Sequence, residues 1–367
     1  MKKLGRDMRL IAAKSLEEGS ELAKPIYNDR GQVLIQKDIK LTKAMINRLL
    51  HLGVTFVYVK DAISDDIIIH SPVSEEVKIE SMQTMKSVFN SFKNNGFKDK
   101  GFLFSKVNEN MTELVDTIIT QIQRDQEVLS IMSDIFISDN YLFSHSVNVT
   151  MYAVALASEM KMTQKQVRQL GLGAMLHDVG KVFLPEEILK KAGKLNDFEF
   201  DLIKTHPELG FEFLRSSSDL PLLVAHCAYQ HHERMDGSGY PRGLVGDEIH
   251  LFGKVLGVAD VFDAVTSHRV YRDALLPQEG LDILFAGSGT LFEPEMVRLF
   301  RDTIAVYPNG VTIELSDHRR AIVVRQNHKL YNRPVVRVFS ENNQVVTPYD
   351  LDLATENNVT VTGYKMS

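Results

Sequence analysis

Eight of the chain's 12 histidines, His145, His177, His206, His226, His231, His232, His250 and His268, fall between positions 145 and 268. Imidazole nitrogens together with carboxylates are the hard-to-borderline donors that first-row divalent cations take. His177 and Asp178 are adjacent at the expected end of a helix, just before Gly180-Lys181. Neighbours on a helix point about 100° apart, so this pair grips a cation only if other elements complete the shell. His145 opens the preceding helix, His206 ends the helix after a capping box, and His231 and His232 end an apolar helix. Asp260 lies in the apolar stretch 255–265, where an unpaired carboxylate is costly. Each of these alone has an ordinary explanation. A histidine at a helix end is usually a dipole partner or a hydrogen-bonded core residue, and a lone Asp can cap or pair with Arg. Five histidines and two aspartates in one helical bundle have no cheap shared structural explanation, and the set is read as a metal site whose ligands converge from facing helices. With no thiolate in the set, Fe or Mn is favoured over a structural zinc. His226 lies off the ligand face and is read as structural, as are His51, His70, His250, His268, His318 and His328. Cys227 is read as a buried small hydrophobe.

These residues need elements to hold them. Residues 138–305 read as mostly helical. The stretch 146–160 carries Val147, Val149, Val154 and Leu156, and 164–176 is a second helix with Gly180 as its stop. Asn196 and Glu199 form a capping box ahead of Phe200, Leu202 and Ile203. The stretches 220–230 and 252–265 are apolar helices, and Asp236 to Gly243 is a Gly-rich loop. Residues 1–62 form a small α+β unit: two strands around the turn Asn28-Asp29-Arg30-Gly31, a helix capped by Thr42 and stopped by Gly53, and a strand over 54–59. Residues 63–137 are a helical connector in which Met82, Met85, Val88, Phe89 and Phe92, then Met111, Leu114, Ile118, Ile119 and Ile122, recur at helical spacing. Core packing is the first reading of these stripes, and a homodimer formed through the connector is the alternative. Residues 306–367 read as a β-rich appendage, with Asn342-Asn343 as a turn between strands. The fold expected is mainly α: a helical bundle with a small N-terminal α+β unit and a short C-terminal β appendage.

Composition narrows the function classes. Lys and Arg number 42 against 48 Asp and Glu, a net charge of −6, which does not suit generic DNA or RNA binding. A single cysteine excludes an intramolecular disulfide and a thiolate zinc cluster, so a reducing cytoplasm is expected. The first residues carry cations but no apolar core, since Arg6, Asp7 and Arg9 interrupt them, and no run approaches the roughly 18 apolar residues of a membrane span.

Reading on from His177, the chain has HDVGKVFLPEEILKKAGKL, then HPELG from His206, HHERMDGSGYPRGLVG from His231 and ADVFDAVTSHRVYRDAL from Ala259. In this order the motifs closely resemble the HD-GYP domain, the subgroup of HD phosphohydrolases that hydrolyses the bacterial second messenger cyclic di-GMP. The resemblance covers 138–305 and implies an HD-type bundle as the catalytic domain. It implies His145, His177, Asp178, His206, His231, His232 and Asp260 as metal ligands, with Asp178 bridging two cations. Lys181 matches the motif lysine that faces the scissile phosphate, so Asp178 and Lys181 are the implied catalytic residues. Tyr240, with Gly239 beside it, and Arg269 and Arg272 match positions around the guanine and the phosphates. Some members hold a third metal with a Glu one turn before the first ligand histidine. Tyr141 stands there, a phenol that is a poor ligand at neutral pH, so two divalent ions are implied. Val270 stands where the family usually has Pro, and no chemical group is lost. The implied product is pGpG, and GMP after a second cut. Two divalent cations suit a phosphodiester on chemical grounds, since they acidify bound water and clamp phosphoryl oxygens, while Lys181 adds a point charge and the arginines contact phosphate. The alternatives are a catalytically weak cyclic di-GMP sensor that signals through the connector, and a hydrolase of another cyclic or linear nucleotide. A sensor that has lost catalysis usually lacks some ligands, and here every ligand position is filled.

Overall fold

In the computed structural model of the protein, residues 8–28, 32–64, 66–67, 71–95, 100–124, 136–137, 141–191, 193–267, 274–327 and 330–364 are described. They fall into two units, one gathering Met1–Pro72, Glu127–Asp139 and Ile304–Ser367, the other Val73–Gln126 and Asn140–Thr303.

In the first unit the Thr42 side chain accepts a hydrogen bond from the Met45 amide and starts α1 (Lys43–His51), and Gly53 at φ +77° follows its end. β1 (Arg9–Ala12) runs antiparallel to β4 (Phe56–Val59), with Leu10 opposite Tyr58. β2 (Ile26–Asn28) pairs antiparallel with β3 (Val33–Ile35) and parallel with β5 (Phe136–Ile137). Leu22, Ile26, Leu41, Leu49 and Val57 form a buried cluster between these elements. β6 (Thr312–Leu315), β7 (Arg319–Arg325), β8 (Val335–Glu341), β9 (Gln344–Asp352) and β10 (Val361–Tyr364) make an antiparallel sheet of order β10-β6-β7-β8-β9. Asn342 and Asn343, at φ +48° and +64°, supply the paired positive dihedrals that a tight hairpin between β8 and β9 needs.

The second unit is helical. α2 (Glu75–Asn95) and α3 (Lys100–Arg124) bury both predicted stripes, with Met85, Phe92, Met111 and Ile118 fully shielded. The Phe89 ring meets Phe143 edge-on at 5.7 Å and Phe92 meets Phe213 at 4.7 Å, so the stripe packs inside the same unit as the histidine-bearing helices. Each such side chain contributes roughly 1.5–3 kcal/mol by burial. α4 (Tyr141–Glu159) leads to α5 (Gln164–Leu176), opened by a Thr163/Gln166 capping box, and a 3-10 turn spans Val179–Phe183. Then come α6 (Glu186–Leu189), α7 (Asp197–Ile203, with the predicted Asn196/Glu199 box), α8 (His206–Leu214), α9 (Leu222–Gln230), α10 (Leu251–Thr266), α11 (Pro277–Ala286) and α12 (Pro294–Thr303). Two expectations change here. His206 opens α8 instead of ending α7, because Pro207 cannot continue a helix but fits the first turn of a new one. Gly180 is not the stop of α5, which ends at Leu176. A Cβ on Gly180 would lie 1.9 Å from the His206 carbonyl oxygen, so the residue is glycine to let the 3-10 turn touch α8.

Candidate metal centre

Five segments of the second unit bring the seven expected ligands together. His145 comes from α4, His177 and Asp178 from the end of α5, His206 from the start of α8, His231 and His232 from the end of α9, and Asp260 from α10. All but His232 are buried, and the His232 side chain is 17 % exposed. Small residues set the spacing. Gly180 seats the Asp178 turn on α8, and Gly173 lets α5 approach Cys227 on α9, where an added Cβ would meet Sγ at 2.2 Å. Cys227 is thus the buried small hydrophobe expected, and burial pushes its thiol up.

The backbone decides which imidazole nitrogens face inward. His177, His206 and His231 each donate Nδ1–H to the carbonyl three residues earlier: Ala174 at 2.6 Å, Ile203 at 2.7 Å and Ala228 at 2.9 Å. Each Nε2 is therefore a bare lone pair in the neutral ring. His206 Nε2 and His231 Nε2 lie 3.2 Å apart, and His206 Nε2 lies 3.2 Å from Asp178 Oδ1, with no proton available between either pair. His177 Nε2 and Asp178 Oδ1 are buried without a hydrogen-bond partner. Lone pairs aimed at one another out of water are destabilising, and a cation among them removes the conflict. Burial holds His177 down to about 3 and His206 to about 4, and puts His232 well below its usual value, so these rings are neutral donors. Burial alone would raise the Asp178 carboxyl, but the Lys181 ammonium beside it holds it well below the carboxylate range. His145 differs. Burial works against its charge, yet Asp260 and Asp263 outweigh it and push the ring to about 9.

The donor atoms form three sets, each within 4.8 Å: His145, His177 and Asp260; His206, His231 and His232; and His177, Asp178 and His231. The third set joins the other two through Asp178. These imidazole and carboxylate donors fit divalent first-row cations.

The expected substrate residues have different standings. Lys181 Nζ lies 2.5 Å from Asp178 Oδ2 and is 24 % exposed. Tyr240 stacks on His232 with ring centres 4.6 Å apart, and its phenol is raised by burial. A Cβ on Gly239 would sit 2.4 Å from the Arg234 amide nitrogen and 2.5 Å from the His232 carbonyl, so this glycine serves the packing of the loop onto its own chain. Arg269 and Arg272 lie outside the described residues, as does the side chain of Tyr141. Two further carboxylates were not singled out from sequence. Glu233, buried, accepts the amides of Arg242 and Leu244, both at 2.9 Å, and ties down the Gly-rich loop. Asp263 accepts from His145 Nδ1 at 2.7 Å. Its signal was its place one turn after Asp260 on an apolar helix, where the same desolvation argument applies.

The HD domain family matches residues 104–296, more than half of the chain. A cyclic di-GMP phosphodiesterase of Pseudomonas aeruginosa is 36 % identical over 228 residues, 62 % of this chain and 55 % of that protein. A cyclic di-GMP phosphodiesterase of Thermotoga maritima is 36 % identical over 247 residues, 65 % of each. A 3′3′-cGAMP-specific phosphodiesterase of Vibrio cholerae is 38 % identical over 157 residues, 42 % of this chain and 30 % of that protein. The chain thus spans less than two thirds of the length of each of these relatives. The motif order and the convergence of its residues in one helical unit agree with these matches, and the chain belongs to the HD-domain family, in the HD-GYP group.

Proposed function

We propose that the chain is a metal-dependent phosphodiesterase that opens cyclic di-GMP to linear pGpG at a binuclear His/Asp site, working in the cytoplasm. The observation that carries this reading is the set of inward-facing Nε2 atoms of His177, His206 and His231, each with its Nδ1 on a backbone carbonyl, gathered around the orphaned Asp178 Oδ1. His145, His177 and Asp260 would hold one cation, His206, His231 and His232 the other, and Asp178 would bridge them; Mn or Fe suits these donors. Divalent cations bound there supply Lewis acidity toward phosphoryl oxygens and bring the pKa of water toward neutrality. The chain's own residues do the rest. Asp178 stays ionised in the buried centre. Lys181, a quarter exposed beside Asp178, places a fixed positive charge where negative charge grows on the phosphoryl oxygens. Tyr240, stacked on His232, offers its other face to a nucleobase. Arg269 is proposed to reach the second phosphate of a cyclic ligand, and Arg272 to belong to the positions around its guanine and phosphates.

The similarity to a 3′3′-cGAMP-specific enzyme supports a second reading, in which a mixed guanine–adenine ring is the better substrate. The test is product analysis by chromatography after incubating the full chain with Mn2+ or Fe2+ and each cyclic dinucleotide. Cyclic di-GMP converted to pGpG faster than the mixed ring supports the first reading, and the opposite order supports the second. Binding without turnover under every metal would make the chain a sensor.

A further inference from the structure

His145 differs from His177, His206 and His231, whose Nδ1 atoms rest on backbone carbonyls. Near the start of α4 it has no spare carbonyl behind it, since that of Leu142, three residues earlier, already accepts the Ser146 hydroxyl at 3.0 Å. Instead Nδ1 meets the Asp263 carboxylate at 2.7 Å. Asp263 is buried on α10, and its second oxygen accepts from Asn148 Nδ2 at 2.9 Å and from the Ser267 hydroxyl at 3.0 Å. The carboxylate is therefore oriented from two elements, with Oδ1 fixed on two donors and Oδ2 fixed on His145. His145 Nε2 then faces Asp260 Oδ1 at 3.1 Å and Asp178 Oδ2 at 3.7 Å.

We propose that Asp263 is the positioning residue of His145 and makes the His145–His177–Asp260 position the tighter of the two cation positions, an inference that rests on the two-cation reading above. A carboxylate behind an imidazole fixes its tautomer and raises its basicity more than a neutral carbonyl does. This position thus has two carboxylates of its own, Asp260 directly and Asp263 through His145. The His206–His231–His232 position has imidazoles backed at His206 and His231 by carbonyls alone. Cations are attracted more strongly to the first.

The substitution Asp263→Asn separates orientation from packing. Asn148 Nδ2 needs an acceptor at the Oδ1 place and the Ser267 hydroxyl already donates there, so the new amide is expected to turn its oxygen to them and its NH2 to His145. Nδ1 must then accept, the proton moves to Nε2, and the ring offers no lone pair to a cation, with almost no change of shape. The experiment titrates chelator-stripped full-length protein with Mn2+ by calorimetry, counts retained metal by elemental analysis, and measures the unfolding temperature of the stripped protein. In the wild type two steps of unequal affinity are expected. In Asp263→Asn the tight step should weaken about 10–100-fold while the weak step and the stripped-protein unfolding temperature stay put. Should the Asn variant fail to fold, Asn148→Ala, which removes one of the two orienting donors, should weaken the tight step by a smaller factor. Two unchanged steps in the variants, or both steps lost together with a lowered unfolding temperature, would overturn the role of Asp263. A wild type that takes up a single Mn2+ overturns the two-cation reading, and the role of Asp263 falls with it only if the variant leaves that one step unmoved.

Discussion

Asp178 approaches both sets of imidazoles, 3.2 Å from His206 Nε2 through Oδ1 and 3.5 Å from His177 Nε2 through Oδ2, and belongs to the donor set that joins the other two. Removing it leaves His177, His206 and His231 with lone pairs facing one another and no anion between them. Asp178→Ala should therefore bring retained metal to well under one per chain and take turnover below detection. Lys181→Ala should keep the metal and lower kcat by roughly 10²–10³, as expected for one preorganised charge acting on the transition state. Elemental analysis beside steady-state kinetics checks both, and an Asp178→Ala protein that keeps its full metal content would remove the bridging assignment. These residues were legible because each stands in a short motif, and because a titratable residue at a helix end or in an apolar run raises the question of its partner. Asp263 and Glu233 stand in the same quoted motifs but were given no role. Their partners are Nδ1 of a histidine 118 positions away and two loop amides, and no sequence pattern shows which carboxylate will point at them.

The elements hold the site through close approaches more than through their own stability. The turn after α5 carries His177 and Asp178 into the centre only because Gly180 rests on the backbone of α8. Gly180→Ala would place a Cβ 1.9 Å from the His206 carbonyl and 2.7 Å from the Gly210 amide, both backbone atoms that cannot swing aside. It should destabilise the second unit by about 1–3 kcal/mol or more and weaken Mn2+ binding by parting Asp178 from His206. Gly363→Ala in β10, where an added Cβ meets nothing within 4 Å, is the matched control, and equal unfolding shifts for the two would defeat the argument. The Gly-rich loop is held by one side chain. In Glu233→Gln the amide group confronts one of the two N–H donors of Arg242 and Leu244, which costs about 1–3 kcal/mol at a buried donor. The loosened loop should raise KM for a cyclic dinucleotide several-fold, with kcat less affected, and leave a small chromogenic phosphodiester unchanged. Equal loss on both substrates would place Glu233's effect at the cations. Helix positions followed from caps and periodicity, which are local. The break between α7 and α8 is also local, since Pro207 fits the first turn of α8 and cannot continue α7.

At the scale of the whole chain, contacts far apart in sequence decide what belongs together. The stripes of α2 and α3 were legible as apolar faces, but not what they face, and burial of Phe89 and Phe92 against Phe143 and Phe213 joins them to the unit that carries the ligands. The strands after Tyr307 were legible as strands, whereas their order, with β10 returning to the far side of β6, depends on pairings no local pattern encodes. One physical consequence separates the two units. Every set of three clustered ligand atoms among the described residues lies in the second unit, and none lies in the first. A cation that binds the folded state alone stabilises it by about 4 kcal/mol at a thousandfold excess over Kd. For a unit of roughly 150–250 residues that is a rise of about 10 °C. Calorimetry of the full chain, stripped with chelator and then reloaded with Mn2+, should show the unfolding of the second unit shifting upward by this order while that of the first unit holds still. Urea titration followed at β-sheet and α-helix wavelengths provides the assignment, since the strands of the five-stranded sheet are all in the first unit. A shift of the sheet transition with the metal, or no shift of either, would mean that the seven residues do not form a cation site whose occupancy is linked to folding.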